Sequence, residues 1–291
     1  MKKKEQIESL SPAERIGRAL VTVVKYFSLL LATFLALLPL ISCLLVSFKT
    51  DEEYQLTPVM QLPKNLLNFE NFRRVWVDGD MGRAFATSFL VVVVVVAFSV
   101  LVGSMLAYVL NRFRFPGNGL IRNLFLFATL IPGIAMQVTI YQIMSSLGLV
   151  NSLIGYMILQ CGTDVISIYI FLQFFENLSV SLDESAILDG CTYFGVFFKI
   201  LFPLLRPAIV TVMILKGIGV YNEYYAANLY LQDKTRFVTV STALYTFTGP
   251  FGNAYNLICA GVILTLIPML VIFIACQKQI YSGLAAGSVK G

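Results

Sequence analysis

The sequence predicts an all-α polytopic membrane protein with six transmembrane helices, and three observations carry that reading. Of 291 residues, 58% are hydrophobic and 13% charged, too apolar a balance for a soluble domain. The apolar residues gather into six long runs, each near the ~20 residues a helix needs to cross a bilayer core. Lysine and arginine are distributed unevenly between the segments that separate these runs, 13 on one set and 7 on the other. That bias orients membrane proteins with the richer side in the cytoplasm.

Taken in order, residues 1–25 form a cytoplasmic segment carrying Lys2, Lys3, Lys4, Arg15, Arg18 and Lys25. Within it, Ser11-Pro12-Ala13-Glu14 reads as a capping box with proline at the first helical position. The apolar run that follows is long enough to span and is closed by no small-x-small cleavage site, so it reads as a helix and not a leader. Residues 26–83 supply this first span (26–48) and an external loop containing Pro58 and Pro63. Residues 84–281 form the transmembrane core, with spans over 84–110, 120–146, 152–175, 204–225 and 257–281. Six consecutive valines at 91–96 read as helix because the apolar run continues to Tyr108, too far for a strand. Pro132 and Pro268 lie within spans, where membrane helices tolerate proline if neighbours satisfy the freed carbonyls. Residues 226–256 form a second external loop with a turn at Gly249-Pro250; its aromatics read as interfacial anchors or as contacts to an external partner. Residues 282–291 are a cytoplasmic tail. Both termini are therefore placed in the cytoplasm of a multi-pass cell-membrane (plasma or inner-membrane) protein.

Several chemistries are excluded. There is no histidine, which removes imidazole acid-base and metal chemistry. Cys43, Cys161, Cys191, Cys259 and Cys276 are scattered without a C-x-x-C pair and read as small buried hydrophobes. The net charge of +5 follows membrane topology and does not mark a nucleic-acid surface. No G-x-x-x-x-G-K-[ST] loop is present, so the chain is no P-loop ATPase. No cofactor is assigned to it.

The stretch Ser181–Pro207 stands apart from the spans. Ser181 and Glu184 have capping-box spacing, and Asp183 with Glu184 suits the positive end of a helix dipole. Gly190 costs a helix about 1 kcal/mol relative to alanine, which predicts a joint at that point. Tyr193, Phe194, Phe197, Phe198 and Leu201 recur at helical spacing and make one oily face. Pro203 and Pro207 suit the opening of a further helix. The local prediction is a short helix, a glycine joint, an amphipathic helix and then a span. Deeper in the spans lie two ionisable residues, Asp164 and Lys216. Lys216 and Glu223 are seven apart, two turns along one helical face, and with Tyr221 and Asn222 are candidates to line a pathway. Pairing of Lys216 with Asp164 or with a partner subunit is the other reading.

Glu184-Ser185-Ala186 followed by Asp189-Gly190 and Pro203 resembles the EAA loop of ABC importer permeases, with Ser185 and Cys191 where that family usually has alanine. The resemblance continues in Ala107-Tyr108 with Arg112-Phe113-Arg114-Phe115-Pro116-Gly117, in Leu147–Ser152, in Tyr221-Asn222-Glu223 and in the tail Gly283–Gly291. Together these signals run from about residue 100 to the end. They are similar to carbohydrate-type ABC importer permeases, in particular the smaller permease of the maltose-type pair. Tyr221 stands where tryptophan is common, Thr87-Ser88 where Asn-Ser is common, and Val180 where proline is common.

The resemblance implies a MetI-like permease fold and a non-enzymatic subunit that imports a sugar or oligosaccharide by alternating access with a second permease. ATP and Mg would be handled by two separate ATPase subunits, and an extracellular solute-binding protein would deliver the substrate. Asp183, Glu184, Ser185, Ala186, Asp189 and Gly190 of the 181–203 loop would couple to the ATPase, and Gly287, Val289 and Lys290 would reach its interface. The alternatives are an ABC importer permease for an amino acid, peptide or phosphate, and a stand-alone secondary transporter using Lys216, Glu223 and Asp164 as a charge relay.

Overall fold

A computed structural model describes residues 12–162, 164–249 and 252–288. Lys2, Lys3, Lys4, Ser11, Pro250, Val289, Lys290 and Gly291, named above, lie outside the described residues. The helices are α1 (Pro12–Ser47), α2 (Asp51–Leu56), α3 (Glu70–Asp78), α4 (Met81–Arg112), α5 (Asn118–Thr129), α6 (Gly133–Ser146), α7 (Leu153–Gln160), α8 (Val165–Glu176), α9 (Ser181–Leu188), α10 (Tyr193–Leu204), α11 (Arg206–Tyr221), α12 (Tyr225–Tyr230), α13 (Val240–Ala243) and α14 (Tyr255–Ser288). A two-residue antiparallel ladder, Thr248–Gly249 with Gly252–Asn253, interrupts the helical pattern.

Among the described residues, three helices are long and apolar enough to cross a membrane: Leu20–Ser47 within α1, α4, and Tyr255–Gln277 within α14. The other expected spans are each a bent pair, so the count is three, or up to six if each pair is one span. α5 and α6 meet at 101°, which corrects the expectation of a straight span over 120–146. Pro132 supplies no amide at the break and turns Ile131 away from helical geometry. α7 and α8 meet at 44°, and α10 and α11 at 74°. In α10 the backbone passes through a π-helical stretch, Val196–Leu201, a widened turn often found at functional positions. Pro207 then occupies the first turn of α11, where its missing amide does no harm. Proline lies inside α1 as well, at Pro39.

The chain divides into two units. In the first, the segment after α1 is folded around buried polar groups. Lys49 is fully buried; its Nζ donates to the Pro58 carbonyl (2.6 Å) and Thr57 Oγ1 (3.0 Å). Asn71 Nδ2 donates to the carbonyls of Ser47 and Lys49. The buried Glu53 carboxylate accepts the Lys64 amide at 2.7 Å. Each buried polar group is thereby given the partner that burial requires.

The second unit is organised by α4. Its buried positions Val91, Val95, Ser99, Gly103 and Ala107 fall four apart, a single stripe along the helix. α8 and α11 pack against it. Between apolar helices in lipid there is little hydrophobic drive, so close packing at small residues holds them. A Cβ on Gly103 would lie 3.5 Å from the Phe171 ring of α8, and one on Gly217 of α11 would lie 3.8 Å from Val92 and Val96.

Candidate functional site

The end of α4 near Arg112 carries an elbow built from α9, Gly190 and α10. The expected Ser181–Glu184 capping box does not form. Ser179 Oγ accepts the Ser181 amide (3.3 Å) and bonds the Ser181 hydroxyl (2.7 Å). Ser181 is already inside the first turn, the N-cap position falls on Val180, and no side chain there caps the helix. The exit follows the expected joint. The Cys191 amide reaches back to the Ala186 carbonyl and the Gly190 amide to Ile187, both at 2.9 Å, the double closure that ends helices on a left-handed residue. Gly190 is that residue, with φ of +83°. A Cβ there would meet nothing within 4 Å, so glycine is required here by conformation, not by space. Thr192 Oγ1 then accepts the Gly195 amide at 3.2 Å and opens α10.

The back of the elbow is anchored by one arginine. Arg112 Nε donates to Asp183 Oδ2 at 3.1 Å, Nη2 to the Leu178 carbonyl at 3.0 Å, and Nη1 to the Phe175 carbonyl at 3.3 Å. Its guanidinium also lies over the Phe175 ring, 5.8 Å from the centroid. The Arg112 and Asp183 side chains are 8% and 9% exposed. Burial pushes the Asp183 carboxyl above the usual carboxylate range, against the opposing pull of Arg112. Beside this pair, Phe197 packs its ring 5.4 Å from Tyr108, which in turn lies 5.8 Å from Phe175. The sequence singled out Arg112 within a motif but gave no sign of its partner, 71 residues away.

The residues expected to couple therefore divide. Asp183 and Ala186 face inward, whereas Glu184, Ser185, Asp189 and Gly190 are exposed. The predicted oily face divides too. Phe197 and Leu201 are buried, Phe198 is 45% exposed, and Tyr193 and Phe194 are exposed with Leu182, Ile187 and Leu188. The elbow thus shows an apolar outer surface that also carries Glu184, Ser185, Asp189 and Gly190, on a charge-anchored back.

The pathway candidates are not brought together. Lys216 Nζ lies 3.7 Å from Asp164 Oδ2, so the pairing alternative is the one found in this chain. The two-turn argument for Lys216 and Glu223 fails because α11 ends at Tyr221. Glu223 is already in the next connection, its Oε1 accepting the Ala226 amide at 2.9 Å in the first turn of α12. Tyr221 is buried, with its hydroxyl donating to the Thr265 carbonyl of α14 at 2.9 Å. Asn222 bonds back to the Ile218 carbonyl. Of the tail residues, Gly287 lies within α14.

At the opposite end of α4 the connections are tied to one another. Asn151, left-handed at φ +57°, accepts the Asp233 amide (2.9 Å) and donates its own amide to the Tyr230 carbonyl (2.7 Å). Ser88 Oγ accepts the Val240 amide at 2.9 Å, and Arg83 donates to the Thr235 carbonyl. Tyr224 and Tyr245 stack at 3.7 Å.

Apolar helices gathered on α4, with an anchored elbow at one end, define a polytopic permease-type membrane protein. The chain belongs to the family of binding-protein-dependent transport system inner membrane components, whose profile matches residues 99–282. It is 30% identical over 260 residues to an arabinooligosaccharide transport permease of Halalkalibacterium halodurans, covering 89% of this chain and 92% of that one. It is 27% identical to a diacetylchitobiose uptake permease of Streptomyces coelicolor, over 90% of this chain and 87% of the relative. In fold it matches the crystal structure of a bacterial ABC transporter involved in import of the acidic polysaccharide alginate. That match has a TM-score of 0.78 at 21% identity, over 92% of this chain and 98% of the other. The MetI-like permease fold follows from this likeness and from the family.

Proposed function

We propose that the chain is the transmembrane subunit of an ATP-driven, binding-protein-dependent importer of sugars or oligosaccharides. It works by alternating access with a second permease. The observation that carries the reading is the elbow: an exposed apolar surface over α9 and α10, fixed from behind by the Arg112–Asp183 pair. A surface of this kind suits a partner that pulls, because force on it is delivered to the spans instead of being lost in a slack loop. Two ATPase subunits, holding ATP and Mg, would grip it through Glu184, Ser185, Asp189 and Gly190. Asp183 and Ala186 would set its shape from inside. The tail residues Gly287, Val289 and Lys290 would add a second contact to the same ATPases.

On this reading α5–α6 and α7–α8 each count as one span and α11 carries the fifth, with α10 left in the elbow, giving six spans and both termini cytoplasmic in line with the lysine and arginine bias. The solute-binding protein would meet the opposite end of the bundle. Relatives named for arabinooligosaccharides and for diacetylchitobiose support a carbohydrate substrate. Because Asp164 offsets the charge of Lys216, a neutral sugar is favoured over a uronate.

The test is purification through a tag on this chain after coexpression with its neighbours, followed by reconstitution. An ATPase and a second membrane chain should co-purify, and uptake of neutral oligosaccharide should need ATP and the solute-binding protein together. Sugar transport by this chain alone in liposomes, driven by an ion gradient and with no ATPase recovered, would overturn the proposal in favour of a secondary transporter.

A further inference from the structure

Three ion pairs meet the two ends of a single helix, α8, and one of them, Glu176 with Arg122 of α5 at 3.0 Å, steadies its last residue. At its N-terminus Asp164 accepts the Ser167 hydroxyl (2.6 Å) and amide (3.4 Å) and lies 3.7 Å from Lys216 of α11. At its C-terminus the Phe175 carbonyl, with that of Leu178 just beyond, is held by Arg112, which also holds Asp183 of α9. α9, α10 and α11 are consecutive in the chain, so the elbow and the arm that follows it are fastened to opposite ends of α8.

The surroundings suit a helix that moves as a body. α8 packs along the stripe of α4, with the fully buried Phe171 seated against Gly103, and the Tyr169 hydroxyl donates to the Arg122 carbonyl of α5 at 2.7 Å. Just before Asp164 is the α7–α8 break. A cavity of about 300 Å³ borders it, lined by Ser99, Gly103, Phe125, Gly162 and Asp164 among others. Ser99 Oγ is buried without a hydrogen-bond partner. Charges within apolar spans are costly and usually serve a purpose. An ion pair differs from a hydrogen bond in keeping its attraction over small displacements, because Coulomb energy falls only as the inverse of distance. The Asp164–Lys216 separation is longer than a hydrogen bond, while Asp164 itself is fixed to α8 through Ser167.

We infer that α8 is a strut carrying movement of the elbow to the α7–α8 break, and that Asp164 and Lys216 are the positioning residues that form its inner joint. This rests on the importer reading above. The pair would keep the break and its cavity in step with α11 when the elbow is pulled.

The experiment uses the complete reconstituted importer with its ATPases, second permease and solute-binding protein. Wild type is compared with Asp164→Asn, Lys216→Met, Lys216→Arg and the double variant Asp164→Asn/Lys216→Met. Co-purified ATPase, ATP hydrolysis and neutral-oligosaccharide uptake are read for each. The single neutral variants should hydrolyse ATP yet lose uptake per ATP by roughly tenfold or more, within the range typical of coupling between sites. Lys216→Arg should retain most uptake. The double variant leaves no unpaired charge, so it separates a joint from mere charge compensation. As a joint it stays uncoupled; wild-type uptake per ATP in that variant, or in Asp164→Asn, overturns the inference. Failure of the double variant to assemble assigns the pair to folding and overturns it as well. A wild-type complex with no ATP-dependent uptake would instead defeat the importer reading.

Discussion

The two ends of α4 are built on different principles. Near Met81 and Ser88 the connecting segments are sewn together by hydrogen bonds between side chains and backbone: Ser88 to Val240, Asn151 to Asp233 and Tyr230, Arg83 to Thr235. Near Arg112 the fastening is a buried charge pair, and the element it fastens turns Leu188 and Phe194 outward, 88% and 69% exposed. Distributed hydrogen bonds, mostly neutral, give a surface that tolerates loss of any one contact. A single buried pair concentrates the hold in one place and leaves the outer face free. The second arrangement is the one expected where a partner docks and pulls.

The largest effect should come from the joint of the elbow. Gly190→Asp places a side chain and a charge on the outer face in a left-handed backbone conformation. We expect the subunit to insert and uptake to be abolished, as measured by uptake in membranes containing equal amounts of the protein. Gly190→Ala sharpens the comparison, since it adds only the conformational cost of roughly 1–2 kcal/mol into open space; its uptake should be reduced, not lost. Normal uptake by Gly190→Asp would mean that this end is no more a docking surface than the other.

Next comes the anchor. Arg112→Ala leaves Asp183 buried without its counter-ion, a loss of about 3–5 kcal/mol for buried pairs. The elbow should become the first site of protease cleavage while the opposite end stays protected. Arg112→Lys keeps the charge but not the planar fork that reaches Asp183, Phe175 and Leu178 together, and should fall between alanine and wild type. By contrast, Ser88→Ala removes one neutral bond of a larger set and should cost no more than about 1–3 kcal/mol. If Ser88→Ala and Arg112→Ala expose their regions equally, the contrast between the two ends is wrong.

Much of this was legible before any coordinates. The glycine joint announced itself because a low-propensity residue sat between an acidic helix start and an aromatic repeat, and prolines marked the exit. Three of the six apolar runs coincide with helices long and apolar enough to cross a membrane, because hydropathy is additive along a chain. The bend at Pro132 was not foreseen, because a window average weighs Leu130, Ile131 and Pro132 alike and cannot see that α5 stops and α6 turns away. The capping box expected at Ser181 does not form because the helix starts one residue too early, with Val180 at the N-cap and Ser181 already in the first turn. The Arg112–Asp183 pair links residues 71 positions apart and no local spacing reports such a partner, whereas Lys216 with Asp164 was open to inference because two opposite charges within apolar runs need one another. The same limit explains Glu223, which the spacing placed on the α11 face until the helix was seen to stop at Tyr221.

The smallest expected effects distinguish scaffold from pathway within the spans. Thr192→Ala removes the cap of α10, worth about 1 kcal/mol, and should lower uptake slightly with unchanged ATPase recovery. Tyr221→Phe is finer still. It deletes the hydroxyl that donates to the Thr265 carbonyl, about 0.5–1.5 kcal/mol for a neutral bond, and keeps the ring. With Tyr221 buried, the variant should show a small loss of thermal stability and an unchanged KM for neutral oligosaccharide uptake. A raised KM with unaltered stability would show that the hydroxyl meets the sugar. Tyr221 would then have to leave Thr265 during transport, and the packing of α11 on α14 would belong to one state of the cycle and not to the scaffold.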